Sequence, residues 1–93
     1  MFDFRWDANK AASNLRKHRV PFKDAESVFE DPNAFGQYDV EHSEVEDRWR
    51  LLGLSHRLGL LSVVYAKIDE KTVRIISARR ANGAEARRYS GET

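Results

Sequence analysis

Thr72-Val73-Arg74-Ile75-Ile76-Ser77-Ala78-Arg79-Arg80-Ala81-Asn82-Gly83-Ala84-Glu85-Ala86-Arg87-Arg88-Tyr89 is the stretch that decides the fold. Its β-branched residues from Thr72 to Ala78 read as a strand, and the twin arginines stand where that strand stops. Asn82 followed three residues later by Glu85 reads as a helix start. Each side chain there reaches back to an otherwise unpaired backbone N–H. A strand running into a short helix that carries Glu85, Arg87, Arg88 and Tyr89 gathers phosphate-binding and proton-handling groups in one place.

Upstream, Phe2, Phe4 and Trp6 alternate with Asp3 and Arg5, the period-two pattern of a half-buried strand. Asp7 caps a helix whose Ala8, Ala11, Ala12 and Leu15 form a stripe of small apolar residues. Arg16, Lys17 and His18 follow in its last turn, where the helix dipole favours cations. A second helix begins near Pro21, a residue preorganised for the first helical position, and turns Phe22, Ala25, Val28 and Phe29 inward until Asp31-Pro32 stops it. From Ala34 to Ser77 the chain reads as strand and turn. A weak strand spans Phe35 to Tyr38, an acidic loop Asp39 to Asp47, and a further strand Arg48 to Ser55. In that strand Trp49, Leu51 and Gly53 lie on one face and Arg48, Arg50 and Leu52 on the other. Ser55 to Gly59 turns into Leu60–Lys67, which is apolar on both faces and therefore belongs at the centre of a sheet. The order β-α-α-β-β-β-β-α predicts an α+β domain over residues 1–93. Its sheet is mainly antiparallel, its helices pack on one face, and both tryptophans lie in the core.

Ninety-three residues suffice for one core, and a 41% hydrophobic, 33% charged composition suits a small globule with a charged exterior. There is no cysteine, hence no disulfide framework and no thiolate metal site. No apolar run is long enough to span a bilayer, and the first residues lack the basic head and apolar body of a signal peptide. The expectation is a cytoplasmic protein with no membrane partner. The net charge of +1 conceals an asymmetry: residues 74–93 carry five Lys/Arg against two Asp/Glu, and residues 32–50 two against five. A solvated mixed surface and a basic end that meets phosphate both fit that pattern.

Several patterns together resemble the BrnT proteins. They are Phe4-x-Trp6-Asp7, Asn14 with Lys17-His18, Phe22-x-x-Ala25-x-x-Val28-Phe29-x-Asp31-Pro32, the Asp39…His42…Arg48 region, and Arg74-Ile75-Ile76-Ser77-Ala78-Arg79…Glu85…Tyr89. BrnT proteins are toxins of type II toxin–antitoxin modules with a RelE-like fold. The resemblance spans nearly the whole chain and departs at Pro21, where Ser or Thr commonly precedes the phenylalanine. It implies a metal-independent endoribonuclease that inhibits translation and is neutralised by a BrnA-like antitoxin. It also implies promoter DNA binding through the antitoxin complex alone.

Metal-free RNA cleavage needs a group to accept the 2′-hydroxyl proton, a group to protonate the leaving 5′-oxygen, and cations over the phosphorane. Arg79 and Arg80 offer planar forks to phosphate, but on a strand they point to opposite faces, and Arg79 is the one taken to face the site. Arg79 pairing with Glu85 is the competing reading. Glu85 and Tyr89, at i and i+4, share a helix face with Arg88 beside them. Glu85 is either a base or the capping partner of Asn82. Tyr89 is either a phosphate or base contact or the residue that seats the helix. His42, in a polar loop, is the candidate general acid or base, since histidine changes charge nearest neutral pH. Arg48 either pairs with Glu46 or Asp47 or meets phosphate. The candidate catalytic set is thus His42, Arg48, Arg79, Glu85 and Tyr89, and the candidate RNA-binding set is Lys17, His18, Arg80 and Arg88. Three scattered histidines offer no metal site, and no cofactor is expected. A non-catalytic nucleic-acid-binding or protein-interaction module is the alternative, because binding and cleavage draw on the same arginines.

Overall fold

The computed structural model describes residues 2–91. The chain runs β1 (Asp3–Arg5), α1 (Ala8–His18), α2 (Phe22–Val28), β2 (Phe35–Tyr38), a 3₁₀ turn (Val40–His42), β3 (Trp49–Leu54), β4 (Leu60–Lys67), β5 (Thr72–Arg80) and α3 (Gly83–Tyr89). The five strands form one sheet in the order β1-β5-β4-β3-β2. Strands β2 to β5 are an antiparallel meander, and β1 pairs parallel to β5. The α+β class, the element order and the central place of β4 match the sequence reading.

Alternation along the strands separates two faces. Leu51, Leu61, Val63, Tyr65, Val73, Ile75 and Ala78 point to the side covered by α1 and α2, where they join Val20, Phe22, Ala25 and Val28 in one buried cluster. Phe29 seals one end of that layer, its ring edge-on to Phe4 and to Tyr65 with centroids 5.1 Å away in each case. Gly53 makes this packing possible. A Cβ there would lie 2.8 Å from the Ala34 Cβ and 2.9 Å from a Val28 methyl, so only glycine lets β3 approach α2 so closely.

Strand β5 is irregular opposite Val64 and Tyr65. Val64 pairs with Ser77 while Tyr65 pairs with Ile75, so Ile76 is an extra residue in the ladder. That bulge reverses the alternation. Val73 and Ile75 face the helices, and beyond Ile76 it is Ala78, not Ser77, that returns to the core.

Four expectations are corrected. The buried contact of α1 is not the Ala8-Ala11-Ala12-Leu15 stripe: Leu15 is 46% exposed and Asn14 is buried. The Asn14 amide donates to Val20 O and Ala78 O, both at 2.9 Å, and accepts from the Ala78 N–H at 3.0 Å, so it pairs with β5 where β1 has ended. Satisfying that strand edge outweighs burying Leu15. Pro21 is the cap before α2, with ψ at 142°, rather than its first helical residue. Trp6 is not core but 37% exposed, edge-on to Phe22, whereas Trp49 is partly buried and packs against the core, edge-on to Tyr38. Finally, the helices do not share one face, for α3 packs on the other side of the sheet.

Candidate active site on the open face of the sheet

The face away from α1 and α2 is built from the alternate residues of the same strands. The register sets Arg79, Ser62, Leu52 and Phe35 in one row across the sheet, and Ser77, Val64, Arg50 and Gln37 in the next. Arg74 opposes Ala66 in a third row, which Arg48 extends one residue before Trp49. Asp39 extends β2 beside it, its N–H donating to Arg48 O at 2.8 Å. Four arginines on β3 and β5 therefore flank a floor of small residues, Ser62, Val64, Ala66 and Ser77. Alternation, reset by the bulge at Ile76, produces this strip, and α3 closes one end of it.

At that end Glu85 holds Arg79 in a two-pronged pair, Nη1 to Oε1 at 2.8 Å and Nη2 to Oε2 at 3.1 Å. The capping box is present as read: Asn82 N–H donates to Glu85 Oε1 and Glu85 N–H to Asn82 Oδ1, each at 2.9 Å. Burial pushes the Glu85 carboxyl up, but the hydrogen bonds from Arg79 and Asn82 and the charges of Arg79 and Arg50 outweigh it. Its net position is below the usual glutamate value. Glu85 thus joins both roles the sequence left open, cap and arginine partner. Arg88 extends along α3 with its guanidinium 5.7 Å from the centre of the Phe35 ring.

At the opposite end the loop after β2 brings His42 over the strip. Its Nδ1 lies 2.9 Å from Asp39 Oδ2. A carboxylate only accepts, so Nδ1 carries the hydrogen and Nε2 is turned away from Asp39. Asp39 is buried, and its Oδ2 is also 3.8 Å from Arg50 Nη2. Arg50 Nη1 donates to Ser62 Oγ at 2.6 Å. The loop that carries His42 is held in turn by Ser43, whose hydroxyl donates to Asp39 O and accepts from the Arg48 N–H. Glu46 pairs with Arg74 and lies 3.5 Å from Arg48 Nε, which is buried and makes no hydrogen bond among the described residues.

The structure brings His42, Arg48, Arg79, Glu85 and Arg88 to one face. It does not bring the other four candidates there. Arg80 points to the opposite side, where Nη1 donates to Leu58 O at 2.8 Å. Lys17 and His18 lie with Lys10, Asn14, Ile76 and Ser77 around a shallow depression at the edge of β5. The Tyr89 hydroxyl donates at 2.5 Å to Asp31, which also accepts from the Leu54 N–H, so this contact seats α3 on the chain that follows α2. Donation to that carboxylate and burial hold the Tyr89 phenol above its ordinary value. Asp39, Arg50 and Arg74 were missed. The alternation placing Arg48 and Arg50 on one face was a usable signal for Arg50, and Asp39 and Arg74 stood in the motifs that carry the resemblance, though with no role assigned to them.

Among the described residues no three His, Asp or Glu side chains converge as metal ligands, and no helix is long and apolar enough to cross a membrane. Residues 6–85 match the sequence model of a family described as the ribonuclease toxin BrnT of type II toxin–antitoxin systems. The chain belongs to that family. No curated protein matches it in sequence. Among solved structures it is similar to the Brucella abortus ribonuclease toxin BrnT, determined by crystallography at 1.1 Å resolution. The TM-score is 0.63 and the identity 21%, over 88% of this chain and 99% of that one. That likeness bears on the fold, and the family match makes the chain a ribonuclease toxin of a type II toxin–antitoxin system.

Proposed function

We propose that this toxin cleaves RNA without a metal ion, with the substrate's own 2′-hydroxyl as nucleophile. The 2′-oxygen loses its proton to a base and attacks the adjacent phosphorus. The bond to the 5′-oxygen breaks, that oxygen takes up a proton, and the products end in a 2′,3′-cyclic phosphate and a 5′-hydroxyl. The observation that supports this reading is the strip of arginines with the His42 imidazole at its margin, since the reaction calls for cations over the phosphorane and one titratable group beside it. In this reading His42 moves a proton and Arg48 and Arg79 face phosphate. Glu85 holds Arg79 in place, and Arg88 meets the RNA strand beyond the scissile bond. Tyr89 serves by seating α3, while Lys17, His18 and Arg80 act as outlying contacts to longer RNA.

In the cell the consequence is inhibited translation in the cytoplasm, held in check by a BrnA-like antitoxin, with promoter DNA bound only through the antitoxin complex. The strip supports a partner of opposite charge, because an acidic antitoxin segment laid along it would compete with RNA for the same forks. The test is incubation of purified toxin with single-stranded RNA in excess EDTA, alone and with ribosomes, followed by end-group analysis. Cyclic phosphate ends in chelator are expected. Intact RNA under both conditions sinks the catalytic reading in favour of a binding module, and cleavage that requires added metal sinks the mechanism.

A further inference from the structure

The four arginines of the open face are not equivalent. The fork of Arg79 is committed to Glu85, and its Nη1 is shared with Arg80 O. Arg74 is committed to Glu46. Among the described residues Arg48 has only the longer approach to Glu46 and no hydrogen bond to orient it. Arg50 differs from them in two ways. Its one hydrogen bond runs to a neutral hydroxyl, Nη1 to Ser62 Oγ, rather than to a carboxylate, and Nε and Nη2 make no hydrogen bond among the described residues. It also stands in the middle row, between the Arg79–Glu85 pair and the His42 loop.

Asp39 links this arginine to the histidine. A single carboxylate oxygen lies 2.9 Å from His42 Nδ1 and 3.8 Å from Arg50 Nη2. That one buried atom orders both groups about a common point. The His42 side chain is about half exposed, so its outer nitrogen is reachable by a strand of RNA. We infer that Arg50 is the arginine that meets the scissile phosphate, and that Asp39 is a positioning residue that presents His42 Nε2 to the same phosphate. This rests on the ribonuclease reading and replaces Arg79 with Arg50 as its principal cation. Arg79, held by Glu85, becomes the residue that fixes α3 against the strip. The chemistry is donor preorganisation: a guanidinium already held in position needs no reorganisation when charge develops on the phosphoryl oxygens.

The test has one arm that requires cleavage and two that do not. With a labelled RNA oligonucleotide in EDTA, Arg50→Ala is expected to lower kcat/KM roughly 10²–10³-fold, the scale of a lost transition-state donor. Part of that rate should return with added guanidinium ion but not with equal sodium chloride. A wild-type rate in this variant removes Arg50 from the site. If the alanine variant fails to fold, Arg50→Lys carries the same decision, since it keeps charge and loses the fork. The second arm is binding of an oligonucleotide with 2′-deoxyribose throughout, which cannot be cut. Loss of one phosphate contact should reduce the slope of log affinity against log salt by roughly 0.7 in Arg50→Ala. An unchanged slope overturns the contact.

The third arm is the ¹⁵N signature of the neutral His42 ring. Wild type is expected to carry its hydrogen on Nδ1, Asp39→Ala on Nε2, with kcat of that variant reduced and KM little changed. A wild-type ring with Nε2–H overturns the positioning role of Asp39. If wild-type toxin cuts no RNA at all, the ribonuclease reading fails. The salt slope and the ring signature then still decide Arg50 and Asp39 as a phosphate-binding pair.

Discussion

The two faces of the sheet are made by the same strands and have opposite characters. Toward α1 and α2, β3, β4 and β5 present Leu51, Leu61, Val63, Tyr65, Val73, Ile75 and Ala78, a dry layer whose burial stabilises the fold. One residue out of phase, the same strands present Arg48, Arg50, Arg74, Arg79 and the small floor between them. Strands β3 and β5 thus serve stability on one face and carry the candidate phosphate-binding arginines on the other, with the phase of β5 reversing at Ile76. A slip of one residue would exchange the two sets. The fold and the candidate site are consequently fixed by one geometric variable, the phase of each strand, and the bulge at Ile76 is where β5 sets it.

The most drastic way to break this contrast is to insert one alanine between Ile76 and Ser77. With one more residue ahead of Ser77, alternation would turn Ala78 outward and Arg79 into the apolar layer, away from Glu85. A charge stripped of its buried partner costs roughly 3–5 kcal/mol, a large part of a small domain's stability. The insertion variant is expected to be unfolded or insoluble by circular dichroism. A folded variant with normal melting would show that the phase of β5 is set elsewhere.

A pair of single substitutions sharpens the separation. His42→Ala on the open face should lower cleavage roughly 10²–10⁴-fold, the usual contribution of a general acid or base, with an unchanged melting temperature. Leu61→Ala, at a side chain with no exposed surface, should cost roughly 2–5 kcal/mol and leave turnover of the remaining folded protein intact. Thermal melts and initial rates on the same preparations check both. Equal losses of rate and stability in either variant would mean that the faces are not independent.

Acid should act on three carboxyl clasps, Asp24 on Arg57, Asp31 under Tyr89 and Leu54, and Glu85 on Arg79 and Asn82. Hydrogen bonds from Arg57 hold Asp24 below the usual carboxylate value, and hydrogen bonds from Leu54, Tyr89 and Asn33 overcome burial to do the same for Asp31. With Glu85, three carboxyls therefore have depressed values in the folded state. Their contribution is complete above the unfolded-state values near ~4 and is lost as pH falls through the lower folded ones. The melting temperature should be flat from neutral pH to about the unfolded value and drop below it. Glu85→Gln should flatten part of that drop. A drop that begins well above pH 5 would point to other groups.

The smallest effect expected is that of Tyr89→Phe. It removes one donor from Asp31, which keeps its backbone donors from Leu54 and Asn33. Melting should fall slightly and cleavage persist. A large loss of cleavage at unchanged melting would return the Tyr89 hydroxyl to the catalytic set.

Much of this molecule was legible before its structure. The capping box of Asn82 and Glu85 is local, decided by two side chains and the backbone between them, and it formed as read. The central place of Leu60–Lys67 followed from apolar residues on both faces, and the hairpin turns from their Gly, Ser and Asp residues. The reading of α1 failed because helical periodicity admits more than one contact seam. Ala11, Asn14 and His18 fit a seam as well as Ala8, Ala11 and Leu15, and only the unpaired edge of β5 selects the amide. Trp6 was placed inward by its alternation with Phe2 and Phe4, but β1 is a short edge strand with too little beside it to cover an indole.

What the chain determined by itself was therefore the set of elements, their order, the capping box and, on β3, an apolar phase opposed to one with arginines. These follow from backbone propensity and side-chain alternation over a few residues. Two things were left to tertiary structure. One was which of two adjacent arginines, Arg79 or Arg80, reaches the open face, and this turns on a single extra residue at Ile76 that no local pattern announces. The other was the meeting of Asp39, His42, Arg50 and Ser62, drawn from three elements across the sheet. Register between strands is a non-local quantity, set by the summed packing of the buried face. The open face inherits its geometry from contacts made on the other side of the sheet.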